Sequence, residues 1–157
     1  MDAARRLAAQ ASAAISAWYS AELYTRLLQL YALAAPGSSR EFLIESGRRS
    51  AQRIIELGIY SQLDGRTEDS WENLIGRILV SLSGAFFSFG SWEWEGMDGE
   101  GFSILVRDAA PMSEELMLRT SGFIEQLGAR AAGGEVALTH EREDDGETVR
   151  FCAHRIQ

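Results

Sequence analysis

The chain has 157 residues, 46% of them hydrophobic and 24% charged, and its net charge is -8 with an isoelectric point near 4.8. This length fits one globular domain, and the hydrophobic content excludes a disordered chain. The acidic charge argues against nucleic acid or an anionic membrane surface as a partner.

Two residue types narrow the chemistry further. Every basic residue is an arginine, and without lysine the chain has no Schiff-base or P-loop chemistry. Cys152 is the only cysteine, so no disulfide forms within the chain, and we expect a reducing compartment, the cytoplasm. The sequence contains no run of 18 apolar residues, so no membrane-spanning helix is predicted.

The first half of the chain has helical periodicity. The pattern predicts an N-terminal helical extension over residues 1–17 and a helix over 21–34. A third helix is expected over 40–57, with Ser39 as its N-cap, and a fourth from about Thr67 to about residue 87. We therefore expect a largely helical layer.

The period changes to two at Gly90. Residues 92–95 alternate tryptophan and glutamate and, with residues 102–106, predict a hairpin. A fifth helix follows from Ser113, and a second hairpin turns at 144–146. The sequence thus predicts one α+β domain, a four-stranded antiparallel sheet with a helical layer.

Several short motifs resemble those of a known superfamily. They are Trp18-Tyr19, Gly47-Arg48-Arg49-Ser50-Ala51, Gly58-Ile59-Tyr60, Gly122-Phe123-Ile124-Glu125 and Val149-Arg150-Phe151. The chain resembles the bacterial branch of the superfamily that joins the 4-vinyl reductase domain to the TRAPP subunits, and is most similar to small stand-alone members. The resemblance spans residues 17–157 and implies a TRAPP-like α/β plait over the single domain 1–157.

The resemblance implies two kinds of function. Members are non-enzymatic subunits of assemblies that regulate small GTPases, which implies a dimer formed through helices, with itself or with a related subunit. Other members are sensors that hold a small aromatic molecule in a cavity. The sensors bind zinc through several cysteines of the last hairpin, and Cys152 alone does not match that pattern.

Aromatic residues are concentrated in two parts of the chain. Such residues form part of the hydrophobic core, a ligand pocket or an interface. Tryptophan and tyrosine suit a pocket or an interface because they combine an apolar surface with a polar group. The candidates for a pocket or interface are Trp18, Tyr19, Tyr24, Trp71, Phe86, Phe89, Trp92 and Trp94. A small basic group on the third helix, Arg48, Arg49 and Arg53, is either a solvated face or a site for an acidic partner.

The residues that bind metals or cofactors are few. His140 and His154 lie on the last hairpin with Cys152, short of the four ligands of a structural zinc site. A haem needs an axial ligand such as a histidine in a helical pocket, and neither histidine lies on a predicted helix. We therefore expect no metal, no cofactor and no catalytic residue.

The sequence leaves two functions open. We expect a dimeric, non-enzymatic scaffold or adaptor that binds a protein partner, such as a component of a small-GTPase or signalling assembly. The alternative is a sensor domain that binds a small apolar or aromatic ligand in an internal pocket. A cavity would favour the sensor, and a filled core with an apolar surface patch would favour the adaptor.

Overall fold

The computed structural model describes residues 20–58, 70–97 and 101–156. In chain order the elements are α1 (Ala21–Ala34), α2 (Ser39–Glu56), α3 (Trp71–Phe86), β1 (Ser91–Gly96), β2 (Gly101–Arg107), α4 (Glu114–Ala132), β3 (Val136–Arg142) and β4 (Val149–Arg155). The predicted order of helices, hairpin, helix and hairpin is confirmed. The predicted helix over residues 1–17 lies outside the described residues.

Serine side chains begin three of the helices. Ser38 accepts a hydrogen bond from the Glu41 amide, so it is the N-cap of α2, and the prediction of Ser39 was wrong by one residue. Helix α3 starts at Trp71 after Ser70, later than the predicted start near Thr67. Among the described residues, no helix is both long and apolar enough to cross a membrane.

The four strands form one antiparallel sheet. Its order is β1-β2-β4-β3, so the two hairpins join through β2 and β4, and β1 and β3 are the edges. Phe102 lies opposite Ala153, and Thr139 lies opposite Cys152. The α+β class and the four antiparallel strands are confirmed.

Helix α4 is the centre of the molecule. It packs against the sheet through one face and against α2 through the opposite face, and α3 lies beside it over β1. Its buried side chains include Leu116, Ile124 and Leu127, which join Phe102 and Phe151 of the sheet in one core. Helix α3 covers one side of α4. The opposite side of α4 lies between α2 and the edge strand β3.

Candidate functional site

A groove opens on that opposite side of α4, under the edge of the sheet. Its volume is about 200 Å³, and it is lined by residues of α2, α4 and β3: Arg40, Ile44, Ser121, Glu125, Leu138, Thr139 and His140. We call this the β3 groove. Ile44 and Leu138 give it apolar walls, while the other side chains supply polar groups.

His140 is the polar centre of the β3 groove. Its side chain is 9% exposed, and the ring packs against Phe151 with 6.0 Å between the ring centroids. Nδ1 lies 2.8 Å from the Ser121 hydroxyl, which itself donates to the carbonyl of Met117 at 2.9 Å. Because that hydroxyl has only one hydrogen, we assign the proton to Nδ1, which donates to Ser121.

This assignment leaves Nε2 of a neutral His140 as an acceptor. Its nearest polar neighbour is Oε1 of Glu114, 3.4 Å away, which is also an acceptor. The same carboxylate lies 3.8 Å from Nη1 of Arg40, and both of those side chains are more than half exposed. A donor group from a bound molecule would satisfy both acceptors at once.

The same geometry argues against a serine nucleophile. Ser121, His140 and Glu114 follow one another like a hydrolase triad, but a catalytic histidine must accept the hydroxyl proton. Here the Ser121 hydroxyl donates to the Met117 carbonyl, and with the proton assigned to Nδ1 His140 donates to that hydroxyl. The arrangement is suited to binding a polar group, not to activating Ser121.

One ion pair engages a residue that lines the groove. Arg48 donates to both carboxylate oxygens of Glu125, at 2.8 and 3.0 Å, and the Glu125 side chain is only 25% exposed. This pair connects α2 to α4 and neutralises Glu125, the carboxylate among the lining residues. Glu114 therefore keeps the more accessible negative charge beside His140.

The other predicted arginines are engaged within their own helix. Arg49 pairs with Glu45, and Arg53 lies 3.7 Å from Glu56. Their side chains are largely exposed, so such pairs contribute little to stability. The proposed docking of Arg48, Arg49 and Arg53 on an acidic partner stays a prediction.

The predicted aromatic residues mostly join the core between α3 and β1. Trp92 is 8% exposed and stacks on Phe87 and Phe151, while Trp71 meets Phe102 edge-on. Phe89 and Trp94 are half-buried against the same core. The indole nitrogens of Trp71, Trp92 and Trp94 are buried without a hydrogen-bond partner.

The remaining aromatic candidates are dispersed. Tyr24 of α1 packs under Arg119, whose guanidinium carbon lies 5.7 Å from the ring centroid. Phe86 ends α3, and Trp18 and Tyr19 lie outside the described residues. Their roles as pocket or interface residues stay predictions.

The other metal-binding side chains of the last hairpin do not reach the groove. Cys152 and His154 alternate with Phe151 and Ala153, whose side chains enter the core, so they lie on the sheet face away from the helices. Burial raises the pKa of the Cys152 thiol. Within the described ranges, no three His, Cys, Asp or Glu side chains come together as a metal site.

Comparison of the sequence alone finds no relative: no protein-family model matches the chain, and no curated protein matches it. Comparison of the fold finds H-NOX proteins. The unliganded Fe(II) H-NOX protein from K. algicida superposes with a TM-score of 0.61 at 15% identity, covering 90% of this chain and 76% of that one.

Two further H-NOX proteins give similar values. A mutant from S. oneidensis has a TM-score of 0.61 at 9% identity, and a mutant from T. tengcongensis has 0.59 at 11%; each alignment covers 90% of this chain and 76% of the other. Another such structure was solved to probe heme distortion in the H-NOX family. At these identities the likeness establishes a shared fold alone.

This likeness corrects the family inferred from the sequence. The resemblance to the 4-vinyl reductase and TRAPP superfamily was wrong, since the fold neighbours are H-NOX domains. The scaffold or adaptor function that the resemblance implied, with its small-GTPase partner, is contradicted with it. The matched motifs were too short to identify a superfamily. Two of them contain Gly47 and Gly122, which are needed where helices α2 and α4 come into close contact.

The β3 groove does not fit a haem. Of the chain's histidines and its cysteine, only His140 faces the helices, and its ring is held between Ser121 and Glu114. The β3 groove beside it, about 200 Å³, is below the roughly 300–1,000 Å³ of typical small-molecule sites. The axial ligand and the space that a haem needs are both missing there.

Sequence analysis missed most of the β3 groove. It placed His140 on the last hairpin, but it did not predict that Arg40, Ser121 and Leu138 would meet it. One signal was present, because Val136, Leu138 and His140 alternate and so share the apolar face of β3. That signal predicts an inward histidine but not its partners.

Proposed function

We propose that this protein is a non-enzymatic sensor domain that binds a small, mainly apolar molecule in the β3 groove, without a haem. The observation that carries the proposal is the largely buried ring of His140, which lies between two apolar walls with Nε2 3.4 Å from Oε1 of Glu114, a contact that a donor group would complete. The H-NOX-like fold also supports a sensor. One fold neighbour was solved to explain how H-NOX proteins are activated, and a protein that is switched on in this way responds to a signal.

The chemistry of the groove defines the ligand class. Ile44 and Leu138 favour an apolar body, and Nε2 of His140 favours one hydroxyl or amine that donates a hydrogen bond. The small volume excludes a cofactor-sized ligand. A cytoplasmic location stays part of the proposal, because a chain with a single cysteine suits a reducing compartment.

Two matched probes test this proposal. Benzyl alcohol has an apolar ring and one hydroxyl donor, and toluene has the same ring without a donor. We expect both to shift the amide signals of β3 and α4 in an NMR titration of the full chain, with benzyl alcohol binding more tightly. A single hydrogen bond contributes about 0.5–1.5 kcal/mol, so the expected ratio of dissociation constants is about two to tenfold.

Histidine variants identify the acceptor. His140→Phe removes Nε2 and should reduce the affinity for benzyl alcohol to that for toluene. His154→Phe is the matched control, because His154 is exposed on the other face of the sheet, and it should change neither affinity. If neither probe shifts the amides of the groove, or if His154→Phe has the larger effect, the proposed site is wrong.

A further inference from the structure

Two hydrogen-bond acceptors lie next to each other at the β3 groove. With its proton on Nδ1, His140 presents the lone pair of Nε2, and Oε1 of Glu114 lies 3.4 Å from that nitrogen. A hydroxyl group has one hydrogen, so it donates fully to only one of these two atoms. A primary ammonium group has three hydrogens, so a single nitrogen can donate to both acceptors and keep a third hydrogen for water.

The Glu114 carboxylate is open to such a cation. The carboxylate that lines the groove, that of Glu125, is already bound by Arg48 through hydrogen bonds of 2.8 and 3.0 Å. By contrast, Nη1 of Arg40 lies 3.8 Å from Oε1 of Glu114, which is too far for a hydrogen bond. The Arg40 side chain is 63% exposed, so it can turn towards water when a second cation approaches. Oε1 of Glu114 therefore remains free to accept from a bound donor.

The geometry requires one small adjustment. Two donors on a single nitrogen, each about 2.9 Å from its acceptor, hold the acceptors roughly 4–5 Å apart, which is wider than the observed 3.4 Å. His140 is fixed, because its ring packs on Phe151 and bonds to Ser121. The Glu114 side chain is more than half exposed at the start of α4, so rotation about its bonds can move the carboxylate outward by about 1 Å.

The rest of the groove defines what the amine carries. Ile44 and Leu138 form apolar walls beside the His140 ring, and they would bury an apolar body while the ammonium group faces Glu114 and water. A groove volume of about 200 Å³ limits that body to a single ring or a short branched chain. The net charge of -8 also favours the approach of a cation to this protein.

We propose that the β3 groove prefers a protonated primary amine with a small apolar body, and that Glu114 and His140 together recognise its ammonium group. This preference rests on the proposed function and narrows the ligand class from any single donor to a cation with several donors. Nε2 of His140 and Oε1 of Glu114 each accept a hydrogen bond, and Glu114 also balances the charge.

Three ligands that share a benzyl group separate these contributions. Benzylamine is titrated beside toluene and benzyl alcohol, and the affinities are measured from the amide signals of β3 and α4 in the full chain. At about pH 7.5 an aliphatic amine is protonated and an imidazole in water is mostly neutral. Because charge-assisted hydrogen bonds are about twice as strong as neutral ones, benzylamine should bind about three- to tenfold more tightly than benzyl alcohol. Added salt should reduce this ratio of affinities.

Variants of the charged residues test which group recognises the amine. Glu114→Ala removes the carboxylate without adding a donor beside His140, so benzylamine should lose its advantage over benzyl alcohol. Glu115→Ala is the matched control, because it removes the same charge from the next residue of α4, whose carboxylate accepts from Gln29 of α1 at 2.8 Å. It should leave the ratio of affinities unchanged. Arg40→Gln should raise the ratio about twofold, because it removes the positive charge nearest to Glu114.

The outcomes separate this preference from the proposed function. If toluene and benzyl alcohol bind in the groove and benzylamine binds no more tightly than the alcohol, only the amine preference is wrong. It is also wrong if the advantage of benzylamine survives in Glu114→Ala, or if it falls equally in Glu115→Ala. If none of the three ligands shifts the amides of the groove, the proposed function fails, and the amine preference fails with it.

Discussion

Gly47 and Gly122 determine how closely α2 approaches α4. A Cβ atom at Gly122 would overlap the carbonyl of Ile44, and one at Gly47 would overlap the carbonyl of Arg119. The two backbones therefore touch at a point where only glycine leaves room. This contact also fixes Ile44 beside Ser121, and so it positions one wall of the β3 groove.

Replacing Gly122 with alanine should destabilise the fold, because backbone atoms cannot move aside as a flexible side chain can. We expect a loss of about 1–3 kcal/mol in the free energy of unfolding, measured by urea denaturation. Gly84→Ala is the matched control: Gly84 also lies in a helix, α3, but a Cβ there meets nothing within 4 Å. It should gain about 0.5–1 kcal/mol, since alanine favours a helix. Equal shifts in the two variants would contradict this account.

At the scale of the element, the sequence predicts what depends on neighbours along the chain. Helix α1 was predicted at its observed limits, Ala21–Ala34, because its period and the following proline and glycine are local. Both hairpins were predicted from alternation and turn residues. The insertion of β4 between β2 and β3 was not, because pairs such as Phe102 with Ala153 depend on packing between distant segments.

The turn of the second hairpin is held by Asp145. Its carboxylate accepts hydrogen bonds from the Thr148 hydroxyl at 2.7 Å and from the amides of Thr148 and Glu147 at 2.8 and 2.9 Å. The hydroxyl bond first, and then the amides, lower the pKa of Asp145. A lowered pKa in the folded state stabilises the protein at pH values above the pKa of the unfolded chain, and that contribution is lost as the pH falls through the folded value.

Asp145→Asn tests this dependence. Near neutral pH the variant should unfold at lower urea than the wild type, because it loses the charge that strengthens these hydrogen bonds. The gap between the two urea midpoints should narrow as the pH falls below about 4, the ordinary pKa of an aspartate, and through the lower pKa of the folded state. A gap that stays constant or widens over this range would show that the charge of Asp145 does not stabilise the turn.

For the whole molecule, composition and periodicity predicted the α+β class but not which known structures the fold is similar to. Five short motifs suggested one superfamily, whereas the arrangement of helices around the sheet is similar to that of H-NOX structures. The β3 groove was equally hidden, because Arg40, Ser121 and His140 belong to three elements that are far apart in the chain. What the sequence did indicate was the scarcity of haem ligands: two histidines and one cysteine, all on the last hairpin.

That scarcity leads to a prediction for the whole protein. A haem with a protein axial ligand has a sharp Soret absorption and binds at one equivalent per chain. We expect a hemin titration of the purified full chain to give only the broad spectrum of unspecific binding, with a known haem protein measured in parallel. His140→Phe and His154→Phe should give the same spectrum as the wild type, because neither ring is placed to ligate iron. A saturable one-to-one complex whose Soret peak shifts in either variant would mean that the chain binds haem, and it would contradict the proposal of a sensor without a haem.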